Sequence, residues 1–297
     1  MDVMHSMAVF RRVVEAKNFS AVARETNMSQ STVSKHIAAL EERLGTKLLN
    51  RSTRSIKLTE AGKEYYHHCI RILNDFQEAE ASVGKGKIKP TGNLRISTSA
   101  AFGRSCILPH LNEFFRVYPD IKIDMLFDDD YVDLVKEGID LAIRIGPLED
   151  STLIARKIGT TPRVVVASSD YLVKHGRPRK PADLVKHNCL IHSLQKSPDL
   201  WFFNSTQKGE ESVRVNGCLK ANSPDAIRDA IIEGLGISVV CEWFVRDDIR
   251  QGRLKLILPE YKPTSYDIHA VYPERKFVPQ KVKHMIEFLA DKLKHSG

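Results

Sequence analysis

The sequence predicts an all-α N-terminal part followed by a larger α/β part, and three observations carry this. Asn18 to Leu44 (NFSAVARETNMSQSTVSKHIAALEERL) reads as two helices joined by a tight turn. From Ala61 to Val83 apolar residues recur at steps of three or four, the mark of one long helix. Beyond Asn93, apolar strand-like runs alternate with helical patterns, which argues for parallel sheets covered on both faces. A chain of 297 residues has room for two or three such units.

The first helix, from Asp2 to Ala16, places Val3, Met7, Phe10 and Val14 on one face, to pack beneath the following pair. Ser20 is the expected cap of the second helix. Asn27-Met28-Ser29 breaks the pattern, because Asn and Ser compete for backbone hydrogen bonds. Ser29 caps a third helix in which Val33, Ile37, Leu40 and Leu44 form one buried stripe. Gln30, Ser31, Thr32, Ser34 and Lys35 remain on the other side, at its start. Those side chains carry the donors that reach base edges and phosphates in a major groove. Alone, they fit a solvated helix face equally well.

The next segment tips the balance. Lys47 to Asn50 and Ser55 to Leu58 are short half-buried runs flanking a tip with Arg51 and Arg54. That is a β-wing whose arginines can follow a phosphate backbone or enter a narrow minor groove. The uninterrupted stretch FSAVARETNMSQSTVSKHIAALEERLGTKLLNRSTRSIKLTEAG resembles the winged helix-turn-helix of LysR-type transcriptional regulators. The resemblance implies a homodimer or homotetramer on double-stranded DNA at an interrupted palindrome. It further implies a small-molecule effector, RNA polymerase as a partner, and a C-terminal effector domain of two α/β lobes like periplasmic binding proteins.

On this reading residues 1–58 are the winged helix-turn-helix domain, and Thr59 caps a linker helix over residues 59–84 with Glu60 in its first turn. Ala61, Tyr65, Cys69, Ile72, Phe76, Ala79 and Val83 form its stripe. A stripe this long is expected to pair with the same helix of another subunit. Packing on its own winged domain is the alternative. Gly84 to Gly92 reads as a solvated hinge, with residues 85–92 between the linker and the effector domain. Residues 93–297 then form the effector domain, with lobe I at 93–161 and 267–297 and lobe II at 162–266 by analogy. Ile107 to Tyr118, Tyr131 to Gly138 and Val278 to Lys294 read as helices within it.

Composition narrows the class. Apolar content of 42% supports a proper core, and a mean hydropathy of -0.28 predicts a soluble chain. No apolar run approaches the roughly 18 residues of a membrane span. MDVMHSMAVF has no basic start leading into an apolar stretch, so a cytoplasmic location is expected. Net charge is +8, and its distribution is uneven. Met1 to Pro90 holds 15 Lys plus Arg against 10 Asp plus Glu, while the longer remainder holds 30 against 27. The excess sits where a phosphate-binding module needs it.

Five widely spaced cysteines lack any zinc-ligand spacing, so neither a metal site nor a cofactor is expected. Cys189 and Cys218 are too far apart to match the closely spaced pair of peroxide-sensing family members. Cys106 reads as core packing, with an oxidisable thiolate beside Arg104 as the alternative. GxSxG, HExxH and P-loop patterns are all absent, and Gly234-Leu-Gly236 lies in the wrong order for a dinucleotide fingerprint. No catalytic residues are therefore assigned. A transport protein would fit the C-terminal part but gives the N-terminal domain no role.

Ligands of open α/β sheets bind beyond the carboxyl ends of strands. Three loops qualify: Ser97 to Arg104, Asp128 to Asp130, and Asn222 to Pro224. With the family's inter-lobe cleft as guide, Ser99, Phe102, Asp128, Ile145, Phe203 and Asn222 are the expected lining. Aromatic-acid-sensing relatives carry a small hydroxyl residue where Asp128 falls. A carboxylate there would repel an anion unless Arg144 or Arg104 offsets it, which leaves the effector neutral, cationic or absent.

Overall fold

The computed structural model describes residues 2–51, 56–83, 90–130, 132–148, 150–193, 197–205, 209–274 and 278–294. Two compact units divide the chain, Met1–Asn93 with Asp133–Ile139, and Leu94–Val132 with Asp140–Gly297.

In the first unit, α1 (Val3–Ala16) is capped by Asp2, whose carboxylate accepts from Met4 N at 3.0 Å. The cap of α2 (Phe19–Glu25) is Asn18 rather than the expected Ser20. Asn18 is extended, at φ -154°, and its side-chain oxygen reaches Ala21 N at 3.1 Å, so the helix begins earlier and Ser20 lies inside it. Asn27 then turns the chain at φ 53°, a left-handed conformation that Asn tolerates better than most residues. Ser29 caps α3 (Gln30–Leu44) by accepting from Thr32 N at 3.1 Å, and Gly45 ends it at φ 65°. Val33, Ile37 and Leu40 are buried, whereas Leu44 is 41% exposed, so the stripe stops one turn short of expectation.

Strands β1 (Leu49–Arg51) and β2 (Ile56–Leu58) pair antiparallel with Leu49 opposite Leu58. Thr59 then caps α4 (Glu60–Val83), its hydroxyl oxygen accepting from Gly62 N at 2.9 Å. A side chain at Gly62 would put its Cβ 2.0 Å from Leu48 O, so only glycine lets α4 start this close to the wing.

The linker stripe is divided. Tyr65, Cys69 and Leu73 pack on the winged core with Met7, Phe10 and Leu49, while Ile72 and Phe76 stand 38% and 48% exposed. Own-domain packing therefore takes Tyr65, Cys69 and Leu73, while Ile72 and Phe76 lie on a different face of α4. Ala79 and Val83 have side chains outside the described residues, as do residues 84–89 of the expected hinge.

The second unit opens with β3 (Gly92–Thr98). A helical segment follows, made of α5 (Ala100–Phe102), a π turn over Gly103–Ile107, a 3-10 turn over Leu108–His110 and α6 (Leu111–Val117). This replaces the single helix expected from Ile107. Pro109 has no N–H to donate, so a regular ladder cannot run through it. After β4 (Ile121–Phe127), residues 134–138 form turns instead of the expected helix.

The chain continues through β5 (Leu141–Ile145) and β6 (Leu153–Thr161), then β7 (Arg163–Ser168) and α7 (Ser169–His175). Next come β8 (Ile191–His192), β9 (Leu200–Ser205), β10 (Gly209–Arg214), β11 (Lys220–Ala221) and α8 (Pro224–Ile232). The last elements are β12 (Ile237–Cys241), α9 (Glu242–Arg250), β13 (Leu254–Ile257), β14 (Tyr261–Pro263), β15 (Tyr266–Pro273) and α10 (Gln280–Lys294).

One sheet has the order β4-β3-β5-β15-β6. The chain leaves it between Thr161 and Arg163 and re-enters at Tyr266, so β15 arrives antiparallel to both β5 and β6. This sheet is therefore mixed, with β3 and β5 parallel, and the β12-β7-β13 sheet is antiparallel, which corrects the expectation of parallel sheets. Around the first sheet, Ile96, Phe114, Leu141 and Ile143 pack with Val282, Met285 and Leu289 of α10. A separate core gathers Val165, Tyr171, Trp201, Phe203 and Ile237.

Candidate nucleic-acid interface and ligand cavity

Helix α3 is locked from its inner side. Ser6 donates its hydroxyl to Asp2 O at 2.9 Å, so the 2.9 Å contact between His36 Nδ1 and Ser6 Oγ requires a proton on Nδ1. Burial, reinforced by neighbouring His5, pushes the His36 imidazolium pKa below its ordinary value.

Glu41, 6% exposed, faces the wing. It accepts from Leu48 N at 3.0 Å, Leu49 N at 3.2 Å and Lys47 Nζ at 2.7 Å. Burial opposes its charge, but Lys47 and the two N–H groups outweigh burial and hold the carboxyl below its ordinary pKa. One carboxylate thus fixes wing to helix. The sequence reading missed Glu41; the available signal was an acidic residue directly after Leu40 of the buried stripe.

The outer side is polar and open. Gln30, Ser31 and Lys35 are exposed, and Thr32 and Ser34 are half-buried. Ser20 donates to Gln30 Oε1 at 3.2 Å, which leaves the Gln30 amide N–H groups as donors. Ser29 Oγ lies 2.7 Å from Ser31 Oγ and 2.8 Å from Thr32 Oγ1. Arg51 belongs to β1, with its side chain outside the described residues, and Arg54 lies wholly outside them.

The second unit holds a cavity of about 180 Å³. Residues of β5, β7 and β12 line it, with α8, α9, His192 and Tyr266. Of the expected lining, Ser99 and Ile145 reach it. Phe102 lies behind it, its ring edge-on to Trp243 at 5.4 Å. Phe203 is fully buried in the other core, because alternate residues of β9 face opposite ways and Phe202 takes the exposed side. Asp128 turns back on its own loop and accepts from Asp130 N at 3.0 Å, so its neighbour Asp129 is the carboxylate on the lining. Asn222 acts at one remove, since its carbonyl oxygen accepts from His192 Nε2 at 2.9 Å and its amide donates to Asp130 at 3.3 Å.

Charge inside the cavity is shaped by burial. Burial pushes Asp129 above the usual carboxylate range, partly opposed by a hydrogen bond from the Ala100 backbone. It pushes His192 and Arg163 below their ordinary values. Arg163 stacks over the Tyr266 ring at 4.0 Å and donates to Thr264 O at 3.5 Å. The sequence reading missed Arg163 and Trp243, and within the loop Asp128 to Asp130 it chose Asp128 where Asp129 lines the cavity.

Two family models cover nearly the whole chain: the bacterial regulatory helix-turn-helix protein of the lysR family over residues 4–63, and the LysR substrate binding domain over residues 88–294. The chain belongs to the LysR family of transcriptional regulators. An uncharacterized HTH-type transcriptional regulator of Haemophilus influenzae is 39% identical over 95% of this chain and 98% of its own. The transcriptional activator AaeR of Escherichia coli is 35% identical over 98% of this chain and 94% of its own. Among solved structures, the LysR-type regulator CrgA of Neisseria meningitidis is 31% identical, with a TM-score of 0.60, over 97% of this chain and 98% of its own.

This LysR-type protein is a DNA-binding transcriptional regulator with a substrate-binding domain, and its role is regulatory, not enzymatic. Among the described residues no helix is long and apolar enough to cross a membrane, and no acidic, His or Cys cluster could hold a metal ion.

The geometry of Cys106 contradicts the thiolate alternative for this regulator. It sits within the π turn against the first core, and burial pushes its thiol up to about 12. Arg104, the proposed helper, turns away to pair with Asp225 at 2.8 Å.

Proposed function

We propose that this LysR-type regulator reads an interrupted palindrome as a dimer, through Gln30, Ser31, Thr32, Ser34 and Lys35 at bases or nearby phosphates. Arg51 and Arg54 hold the flanking backbone. The observation that carries the reading is the division of α3, with an inner face fixed by Val33, Ile37, Leu40, His36 and Glu41 and an outer row of donors open to solvent. A rigid backing is what positions side chains against base edges.

Residues 1–58 form the DNA-binding domain, 59–84 the dimerisation helix, 85–92 the hinge, and 93–297 the two-lobed effector domain. Exposed Ile72 and Phe76 support pairing of α4 with its copy, because two large apolar side chains on one polar helix favour a partner surface. Two dimers join through their effector domains and bend the DNA between two sites, with RNA polymerase as a further partner in the cytoplasm. A small ligand in the cavity shifts the tetramer between two arrangements, which requires different affinities for the two. The cavity lies where the five-stranded sheet and the β12-β7-β13 sheet both contribute walls, which supports this coupling.

Footprinting of the full chain tests the reading of DNA, with protection of two half-sites about one helical turn apart expected. Ile72→Asp and Phe76→Asp test the seam, since each would bury an unpaired carboxylate at a cost of about 3–5 kcal/mol. Both variants should dissociate at micromolar concentration in ultracentrifugation and bind DNA more weakly. Stable dimers of both would refute the pairing of α4.

A further inference from the structure

We infer that the ligand of the cavity is a small organic monocarboxylate with an apolar body of about one six-membered ring, its carboxylate held by Arg163. This rests on the reading of the cavity as the ligand site and adds the class of ligand. Arg163 carries five N–H donors. Among the described residues it forms no salt bridge; its contacts are the Tyr266 ring at 4.0 Å and the Thr264 carbonyl oxygen at 3.5 Å. The stack fixes the guanidinium plane and leaves its edges available, which is the geometry that accepts a carboxylate with two hydrogen bonds.

The balance of charge on the lining has the same sign. Arg144 is a second guanidinium there, 8% exposed, with Nη1 3.4 Å from Asp130 O. Among the described residues the lining has one carboxylate, Asp129, which accepts from the Ala100 N–H and which burial pushes toward its neutral form. A cation would meet the Arg163 guanidinium, and a neutral ligand would leave that charge without a salt-bridge partner among the described residues in a mostly apolar space. The departure expected from Asp128 thus does not extend to the cavity, because that side chain turns away.

A second negative charge on the ligand finds no donor at His192. Burial favours the neutral imidazole of His192, in which the bond to the Asn222 carbonyl oxygen places the single ring proton on Nε2 and leaves a lone pair on Nδ1. The other walls include Ile143, Ile227, Val239 and Phe244. A cavity of roughly 150 Å³ with such walls admits benzene, so the 180 Å³ here suits one ring or a branched chain with its carboxylate.

Calorimetric titration of the full chain with phenylacetate, phenylacetamide and phenylsuccinate tests the inference. Phenylacetate should bind at least about tenfold tighter than the neutral amide and the dianion, as expected for a charge-assisted bidentate pair. Arg163→Gln should remove that advantage and leave phenylacetamide binding as in the wild type. Ile227→Trp, which fills the cavity, should abolish phenylacetate binding. Equal binding of acid and amide, or no binding of phenylacetate, overturns the monocarboxylate. Phenylacetate binding that survives Ile227→Trp overturns the cavity as the ligand site itself. Should Arg163→Gln fail to fold, the acid-to-amide ratio of the wild type still decides.

Discussion

Glu41 of the first unit and Asp129 of the second are carboxylates drawn partly out of water, and burial resists ionisation of both. They nevertheless titrate in opposite directions. Glu41 receives Lys47 and two backbone N–H groups, and its pKa falls. Asp129 is held by the Ala100 N–H, with Asp225 and Asp128 adding repulsion against the attraction of His192, and its pKa rises. A carboxylate with its donors supplied acts as a joint. One with a single backbone donor against burial and like charges is held toward its neutral form.

Breaking the joint should have the largest effect. Glu41→Ala strands two buried N–H donors, and a loss of about 3 kcal/mol is expected in urea unfolding. Glu41→Gln keeps an acceptor and should lose about half of that. The wild-type stability that Glu41 contributes is present above the unfolded carboxyl's pKa and is lost as pH falls through the lowered folded value. Unfolding curves taken through the acid range should show this slope in the wild type and a flatter one in Glu41→Gln.

Gly62→Ala attacks the same joint from helix α4. Its Cβ would lie 2.0 Å from Leu48 O, a backbone atom that cannot swing aside. Overpacking of this kind costs about 2 kcal/mol, and DNA affinity should fall with the displaced wing. Normal affinity together with normal stability would show that the approach of α4 to the wing is not constrained.

The smallest effect is expected at Asp129. With its folded pKa raised, stability is greatest while the group is protonated and declines as pH rises through the folded value. Asp129→Asn should flatten that decline and gain about 0.5 kcal/mol or less at neutral pH after solvent screening. A loss of stability at neutral pH would instead make Asp129 a second joint.

The two regions also differ in how far the sequence discloses them. Helix α3 and its caps are local, so Ser29, Gly45 and the spacing of Val33, Ile37 and Leu40 are legible from neighbours in the chain. The cavity is assembled from β5, β7, β12 and Tyr266, spread over more than a hundred residues, and no periodicity connects them. Strand alternation moved Phe203 to the core, and a one-residue turn exchanged Asp128 for Asp129. The stripe of α4 was visible, but which of its residues face the winged core, as Leu73 does and Ile72 does not, is set by the fold and not by spacing.

The most direct measurement compares affinity for the native site with affinity for random DNA, in the wild type and in Ser34→Ala combined with Lys35→Ala. If the outer row of α3 reads bases, the specific-to-nonspecific ratio should fall by about 1–3 kcal/mol per lost base contact, with nonspecific binding reduced far less. A double variant that binds its native site as the wild type does would contradict the assignment of α3 as the reading head.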